Sequence, residues 1–93
     1  MFVSNPLGRL FIVRAKLHMS ADDWLQMREE IQEATGSFES CVFCKDFRLV
    51  SDAQDSASLL HIREMMKEDN HRLLRAGLVV APSEFMLQVS QVV

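Results

Sequence analysis

The two cysteines, Cys41 and Cys44, have the spacing that comes closest to a chemical motif. A C-x-x-C pair does redox chemistry at a helix N-terminus, where the helix dipole lowers the thiol pKa, and it binds zinc when two further ligands lie nearby. Here the neighbours Val42, Phe43 and Phe47 are typical of a strand, in which residues three apart point to opposite faces. We therefore interpret both cysteines as small buried residues of a protein in a reducing compartment.

The three histidines, His18, His61 and His71, are the candidates for a general base. His18 follows a predicted strand and His61 lies on a predicted helix, so either residue can be paired with Ser56 or Asp46 in a catalytic hypothesis. His61 and His71 do not have the spacing of zinc ligands on a helix. Isolated histidines are usually surface or packing residues, so we expect no catalytic residue and no metal site.

The sequence contains no motif for phosphate binding and none for catalysis by a pair of acidic residues. The glycines Gly8, Gly36 and Gly77 do not form a phosphate-binding loop, and the acidic residues of 29–33 and 64–69 are spaced as solvated helix faces. The net charge of -3 argues against a nucleic-acid partner, because such proteins carry a basic patch. We therefore expect no cofactor and no nucleic acid.

Length and composition predict one ordinary globular domain. The chain has 93 residues, of which 48% are hydrophobic and 25% are charged. Polar residues interrupt the apolar stretch 1–17, and no run is long enough to span a bilayer. We expect a cytoplasmic protein without membrane insertion.

Three short apolar runs must form the strands that position these residues. They lie within residues 9–17, 41–50 and 76–81 and alternate with helical patterns, which is typical of βαβ units. We expect the first half of the strand 9–17 to be buried on both faces. The predicted fold is α/β, a single compact layer sandwich with a mostly parallel four-stranded sheet, an N-terminal β-hairpin at one edge and helices packed on the sheet.

The helices have clear starting signals. The first is predicted to begin after Ser20, which forms a capping box with Asp23, and to end at Gly36. The second is predicted to begin at Asp55 or Ser56, and residues 70–75 are either its last turn or a break. The apolar stripe of the first helix recurs at three- and four-residue spacing at Trp24, Met27, Ile31 and Ala34.

The last helical pattern follows Pro82 and carries an apolar stripe at Phe85, Met86, Val89 and Val93. No later strand covers this stripe, so we expect either a partner subunit over it or a chain that is truncated at its C-terminus. The first alternative predicts a homodimer. The methionines are either core residues, which we favour, or an adaptable surface for partner helices.

Four stretches carry a resemblance to a known family: residues 8–17 (GRLFIVRAKL), 19–24 (MSADDW), 42–47 (VFCKDF) and 74–83 (LRAGLVVAPS). They resemble the STAS superfamily, and in particular its SpoIIAA-like branch of domains similar to anti-sigma-factor antagonists. Because the resemblance runs through most of the chain, it implies one STAS-like domain over residues 1–93.

The resemblance also implies a regulatory site. The antagonists are phosphorylated on a serine within Asp-Ser-Ser-Gly-Leu, and this chain has Asp-Ser-Ala-Ser-Leu at residues 55–59. The counterpart of the modified serine is Ser56, and the interaction loop that the resemblance implies contains Ser51, Asp55, Ser56 and Ser58. The alternative is that Asp55 and Ser56 only cap a helix, without any regulatory role.

The sequence therefore favours a noncatalytic cytoplasmic regulatory or protein-interaction module of STAS type with an unidentified protein partner. The alternative is a small-molecule or lipid-binding domain, which requires a sizeable apolar cavity between sheet and helices. An enzyme that uses His18 or His61 is the third hypothesis.

Overall fold

The computed structural model describes residues 1–50, 52–70 and 73–91 of the chain. The predicted alternation of strands and helices, and with it the α/β class, is confirmed. The elements follow one another as β1 (Val3–Leu7), β2 (Leu10–Arg14), α1 (Ala21–Thr35), β3 (Cys41–Asp46), α2 (Ser56–Asn70), β4 (Leu73–Val80) and α3 (Ser83–Ser90).

The four strands form one mixed sheet in the order β1-β2-β3-β4. β1 and β2 form the predicted hairpin and pair antiparallel, whereas β2 with β3 and β3 with β4 pair parallel. The hairpin turns at Gly8, whose φ of 53° is a left-handed conformation that glycine adopts without strain. The parallel pairs require long crossovers, which α1 and α2 supply.

The helices cover one face of the sheet. Both crossovers step in the same direction along the strand order, and right-handed connections then place α1 and α2 on the same side. The strand residues that face the helices are buried, as at Phe11, Val13, Cys41 and Phe43. Those of the other face are half-buried, as at Leu10, Ile12, Val42 and Cys44. The prediction of a layer sandwich was therefore wrong. The prediction that the first half of the strand 9–17 is buried on both faces was also wrong.

Two strands are shorter than predicted. β2 ends at Arg14 instead of residue 17, and β3 ends at Asp46 instead of residue 50. β3 ends there because Asp46 Oδ1 accepts a hydrogen bond from the backbone N–H of Arg48, which turns the chain away from the sheet. β4 begins at Leu73. Residues 70–75, predicted as either the last turn of the second helix or a break, therefore include the start of a strand.

Helix α1 begins and ends as predicted. Ser20 Oγ accepts from the Asp23 backbone N–H at 3.2 Å, and Asp23 Oδ2 accepts from the Ser20 backbone N–H at 2.9 Å, so the capping box is present. The helix ends at Thr35, and its C-cap Gly36 has a right-handed backbone conformation. Its buried residues are Trp24, Met27, Ile31 and Thr35.

Helix α3 packs on its own domain, which corrects the prediction of an uncovered helix. Phe85 and Val89 are buried, and the Phe85 ring is stacked on Trp24 with 5.9 Å between centroids. Val93 lies outside the described residues. Met86, which also belongs to the predicted stripe, is 41% exposed, so the domain itself covers the stripe at Phe85 and Val89 and not at Met86.

A buried ion pair that the sequence did not predict lies between the sheet and α2. Lys45, on the covered face of β3, donates a hydrogen bond from Nζ to Asp69 Oδ2, and both side chains are buried. Burial lowers the pKa of Lys45 to about 8. Within the described part of the chain, no donor reaches Asp69 Oδ1.

Asp69→Asn is expected to lower the free energy of unfolding by about 3–5 kcal/mol, because it leaves the Lys45 ammonium buried without a counter-charge. The double variant Lys45→Met with Asp69→Leu removes both charges, and its free energy of unfolding should be at least that of the wild type. Urea unfolding measures both values. As a control, Glu68→Gln breaks the more exposed pair with Arg28 and should cost about 1 kcal/mol or less. Equal losses for Asp69→Asn and the double variant would contradict this account.

Candidate functional site

The described residues between β3 and α2, 47–50 and 52–55, are called here the 47–55 loop. They lie at the carboxyl end of the parallel strands, where open α/β sheets place their binding sites. The loop begins with a tight turn in which the Val50 backbone N–H donates to the Phe47 carbonyl at 3.0 Å. Phe47 and Val50 are buried, whereas Arg48 and Leu49 lie at the corner of the turn and are exposed. The turn thus presents one basic and one apolar side chain to solvent.

Gln54 anchors the far end of the 47–55 loop. Its buried Oε1 accepts a hydrogen bond from the Trp24 indole Nε1 at 2.7 Å, and its Nε2 donates to the Asp52 carbonyl at 2.8 Å. Its backbone N–H donates to Gln88 Oε1 at 2.9 Å, while Gln88 Nε2 donates to the Gln54 carbonyl at 2.8 Å. One residue therefore fastens the loop to both α1 and α3.

Trp24, Phe47 and Phe85 form an aromatic cluster beneath this anchor. Trp24 meets Phe47 edge to face at 5.5 Å, and Phe47 meets Phe85 edge to face at 5.7 Å. Such pairs stabilise a core by about 0.5–1.5 kcal/mol beyond the area that they bury. The cluster holds α1, α3 and the start of the loop together.

The residues of the predicted regulatory loop have different environments. Asp55 caps α2, since its Oδ1 accepts from the Ser58 backbone N–H at 2.8 Å. This bond, together with one from the Ser58 hydroxyl, lowers the pKa of Asp55. Ser56 is exposed as the first residue of α2, whereas Ser58 is buried, and Ser51 lies outside the described residues.

A groove of about 500 Å³ lies between the 47–55 loop and the start of α3. Asp52 and Glu84 are exposed and place two carboxylates at its sides. Its lining residues are Val50, Asp52, Ala53, Pro82, Glu84, Phe85 and Gln88. The groove therefore combines apolar walls with negative charge.

Arg14, Asp46 and Arg48 form a charged cluster at the ends of β2 and β3. Arg48 donates two hydrogen bonds to the Asp46 carboxylate, from Nε to Oδ1 at 2.8 Å and from Nη2 to Oδ2 at 2.7 Å. Arg14 Nε is further away, at 3.8 Å from Asp46 Oδ2. The hydrogen bonds from Arg48 lower the pKa of Asp46 to about 2. Because one carboxylate faces two guanidinium groups, the cluster keeps a net positive charge.

The histidines are bonded to residues other than those of the catalytic hypothesis. His18 Nδ1 lies 2.7 Å from Asp52 Oδ2, and His61 Nδ1 accepts from Arg28 Nη1 at 3.0 Å. These bonds do not join either histidine to Ser56 or Asp46. His71 lies outside the described residues.

The two cysteines lie on opposite faces of the sheet, as predicted. Cys41 is buried and Cys44 is half-buried, and neither forms a disulfide. Over residues 1–50, 52–70 and 73–91, no group of three or more histidine, cysteine, aspartate or glutamate side chains has the arrangement of a metal site.

The cavity between α1 and α2 is small. It has about 10 Å³, which is the space of roughly one water molecule, and it is lined by residues of both helices. A ligand of ordinary size needs about 300–1,000 Å³, so this cavity is too small for one, whereas the groove of about 500 Å³ beside the 47–55 loop lies within that range.

None of the helices in the described ranges has the length and apolar character that a membrane span requires.

Comparison with known proteins gives no relative for the chain. Neither a protein-family model, nor a curated protein, nor a solved structure matches it. The resemblance to the STAS superfamily therefore stays a prediction from the sequence.

We expect Asp46 to titrate near pH 2 and Arg48→Ala to raise its pKa toward the ordinary aspartate value of about 3.9. The folded-state pKa is lower than the unfolded one, so Asp46 stabilises the fold above about pH 4 and this contribution is lost as the pH falls toward 2. NMR titration of the side-chain carboxyl measures the pKa. Arg14→Ala is the control and should shift the pKa of Asp46 less than Arg48→Ala does. An unchanged pKa of Asp46 in Arg48→Ala would refute the role of the Arg48 guanidinium.

Proposed function

We propose that the chain is a noncatalytic protein-interaction module of a cytoplasmic regulatory system, and that its protein partner docks on the 47–55 loop and the adjacent groove. The observation that carries the proposal is the anchoring of this loop by Gln54. The buried hydrogen bonds of Gln54 attach the end of the loop to α1 and α3, while Leu49, Asp52 and Ala53 stay exposed. A surface that is ordered before binding loses little conformational entropy when a partner docks.

The composition of the surface supports a protein partner. Leu49 supplies an exposed apolar side chain at the turn, and the groove supplies apolar walls with the carboxylates of Asp52 and Glu84 at its sides. An apolar centre with a polar rim is typical of protein–protein interfaces.

The resemblance to STAS domains adds a regulatory hypothesis at Ser56. Its position as the exposed first residue of α2 suits a phosphate, because the N-terminal end of a helix favours negative charge. Phosphorylation there would add about -1.5 to -2 charge beside Asp55 at the border of the proposed docking surface. It would change docking without unfolding the domain.

A photo-crosslinking amino acid at Ala53 tests the proposed function, with the same probe at Gln32, an exposed residue of α1, as the matched control. In the cells that make the protein, the probe at Ala53 should give a crosslinked product with a different protein, which mass spectrometry identifies. The purified partner should bind Ala53→Arg at least tenfold more weakly than Gln32→Arg, because only the first substitution fills the groove and changes its charge.

Two results would contradict the proposed function. One is equal binding of the identified partner to Ala53→Arg and Gln32→Arg. The other is a small molecule that remains bound in native mass spectra of the purified protein and is lost in Ala53→Arg, which would support the ligand-binding alternative instead.

A further inference from the structure

The corner of the turn at residues 47–50 is an exposed corner with both apolar and basic character, and its residues Arg48 and Leu49 also line a pocket of about 430 Å³ together with Arg14, Ala15 and Asp46. Leu49 is 59% exposed, although a leucine of this size stabilises the fold when it is buried. The Arg48 side chain is 68% exposed, and the hydrogen bonds to Asp46 hold it in one orientation. Arg14 is equally exposed beside it and adds a second positive charge.

The groove next to this turn has the complementary properties. It has about 500 Å³, which is ample for a leucine side chain, and its walls include Val50 and Pro82. Glu84 and Asp52 give it negative charge, opposite in sign to that of the cluster around Arg48, although Asp52 Oδ2 already lies 2.7 Å from His18 Nδ1. The exposed corner and the groove share the same loop, since Val50 belongs to the turn and also lines the groove.

We propose that a second copy of this chain occupies the groove, in a twofold dimer in which Leu49 of each copy enters the groove of the other. A twofold interface requires a self-complementary surface, and here the exposed corner with Leu49 and the groove lie side by side on one surface. In this arrangement Arg48 and Arg14 approach Asp52 and Glu84 of the other copy. The inference rests on the proposed function only in that it uses the same groove.

The small size of the contact determines how strong the dimer is. Two turns seated in two grooves form an interface at the low end of the usual range, below about 1,200 Å² in total, where complexes are weak and transient. The dimer therefore forms at micromolar to higher concentrations of the chain. Because exposed charges attract one another less in salt, it weakens as the ionic strength rises.

Sedimentation velocity over a range of protein concentrations tests the inference on the whole chain. The wild-type protein should shift from monomer to dimer as its concentration rises, and Leu49→Asp should weaken dimerisation at least tenfold. Leu60→Asp is the matched control: Leu60 is 53% exposed on α2, outside the turn and the groove, so this variant should dimerise as the wild type does. Circular dichroism checks that both variants are folded.

A mixing experiment tests the reciprocal geometry. Glu84→Arg should also remain monomeric, because it puts positive charge into the groove that receives Arg48. Equal amounts of Leu49→Asp and Glu84→Arg should form heterodimers, since one turn and one groove are then intact and the two introduced charges attract each other.

Three results would overturn the inference: a wild-type chain that stays monomeric at every concentration, a Leu49→Asp variant that dimerises like the wild type, or a mixture that associates no more than its components. The first result leaves the proposed function standing, because crosslinking from Ala53 to a different protein is measured independently.

Discussion

The hydrogen bond from the Trp24 indole to Gln54 is the constraint on which the functional end of the molecule depends. Trp24 is completely buried, and an indole N–H that lacks an acceptor in such a place would cost about 1–3 kcal/mol. The acceptor comes from the 47–55 loop, so this loop must cross over the aromatic cluster to satisfy the tryptophan. Gln88 then satisfies the backbone of Gln54, which brings α3 to the same place.

This arrangement explains how a polar loop becomes an ordered surface. Most of its exposed residues, including Leu49 and Asp52, make no contribution to the core, yet the buried residues on both sides fix where they lie. The same anchoring forms the groove, because Phe85 lines it and also belongs to the aromatic cluster. Core packing and the proposed docking surface are therefore two consequences of one set of contacts, and we expect substitutions in the core to affect docking.

Features with local causes were predictable from the sequence. The capping box of Ser20 and the N-terminal hairpin depend on residues a few positions apart, and both are present. The uncovered face of the sheet was not predictable from hydrophobic runs, because it follows from the direction of both crossovers. Lys45 and Gln54 looked like ordinary polar residues, since Asp69 and Trp24 lie 24 and 30 positions away along the chain. For the same reason α3 was expected to be uncovered, although Phe85 packs on Trp24 of α1 and on Phe47 of the 47–55 loop.

Hydrogen exchange of the Trp24 indole N–H, followed by NMR, tests most directly whether the anchor is as stable as the core. If the anchor orders the loop, the indole N–H and the Gln54 backbone N–H exchange only when the whole domain unfolds, with a free energy equal to that from urea unfolding. Exchange of both groups through a local opening of much lower free energy, while the β3 amides stay protected, would show that the loop is not held by Gln54 and would contradict the account.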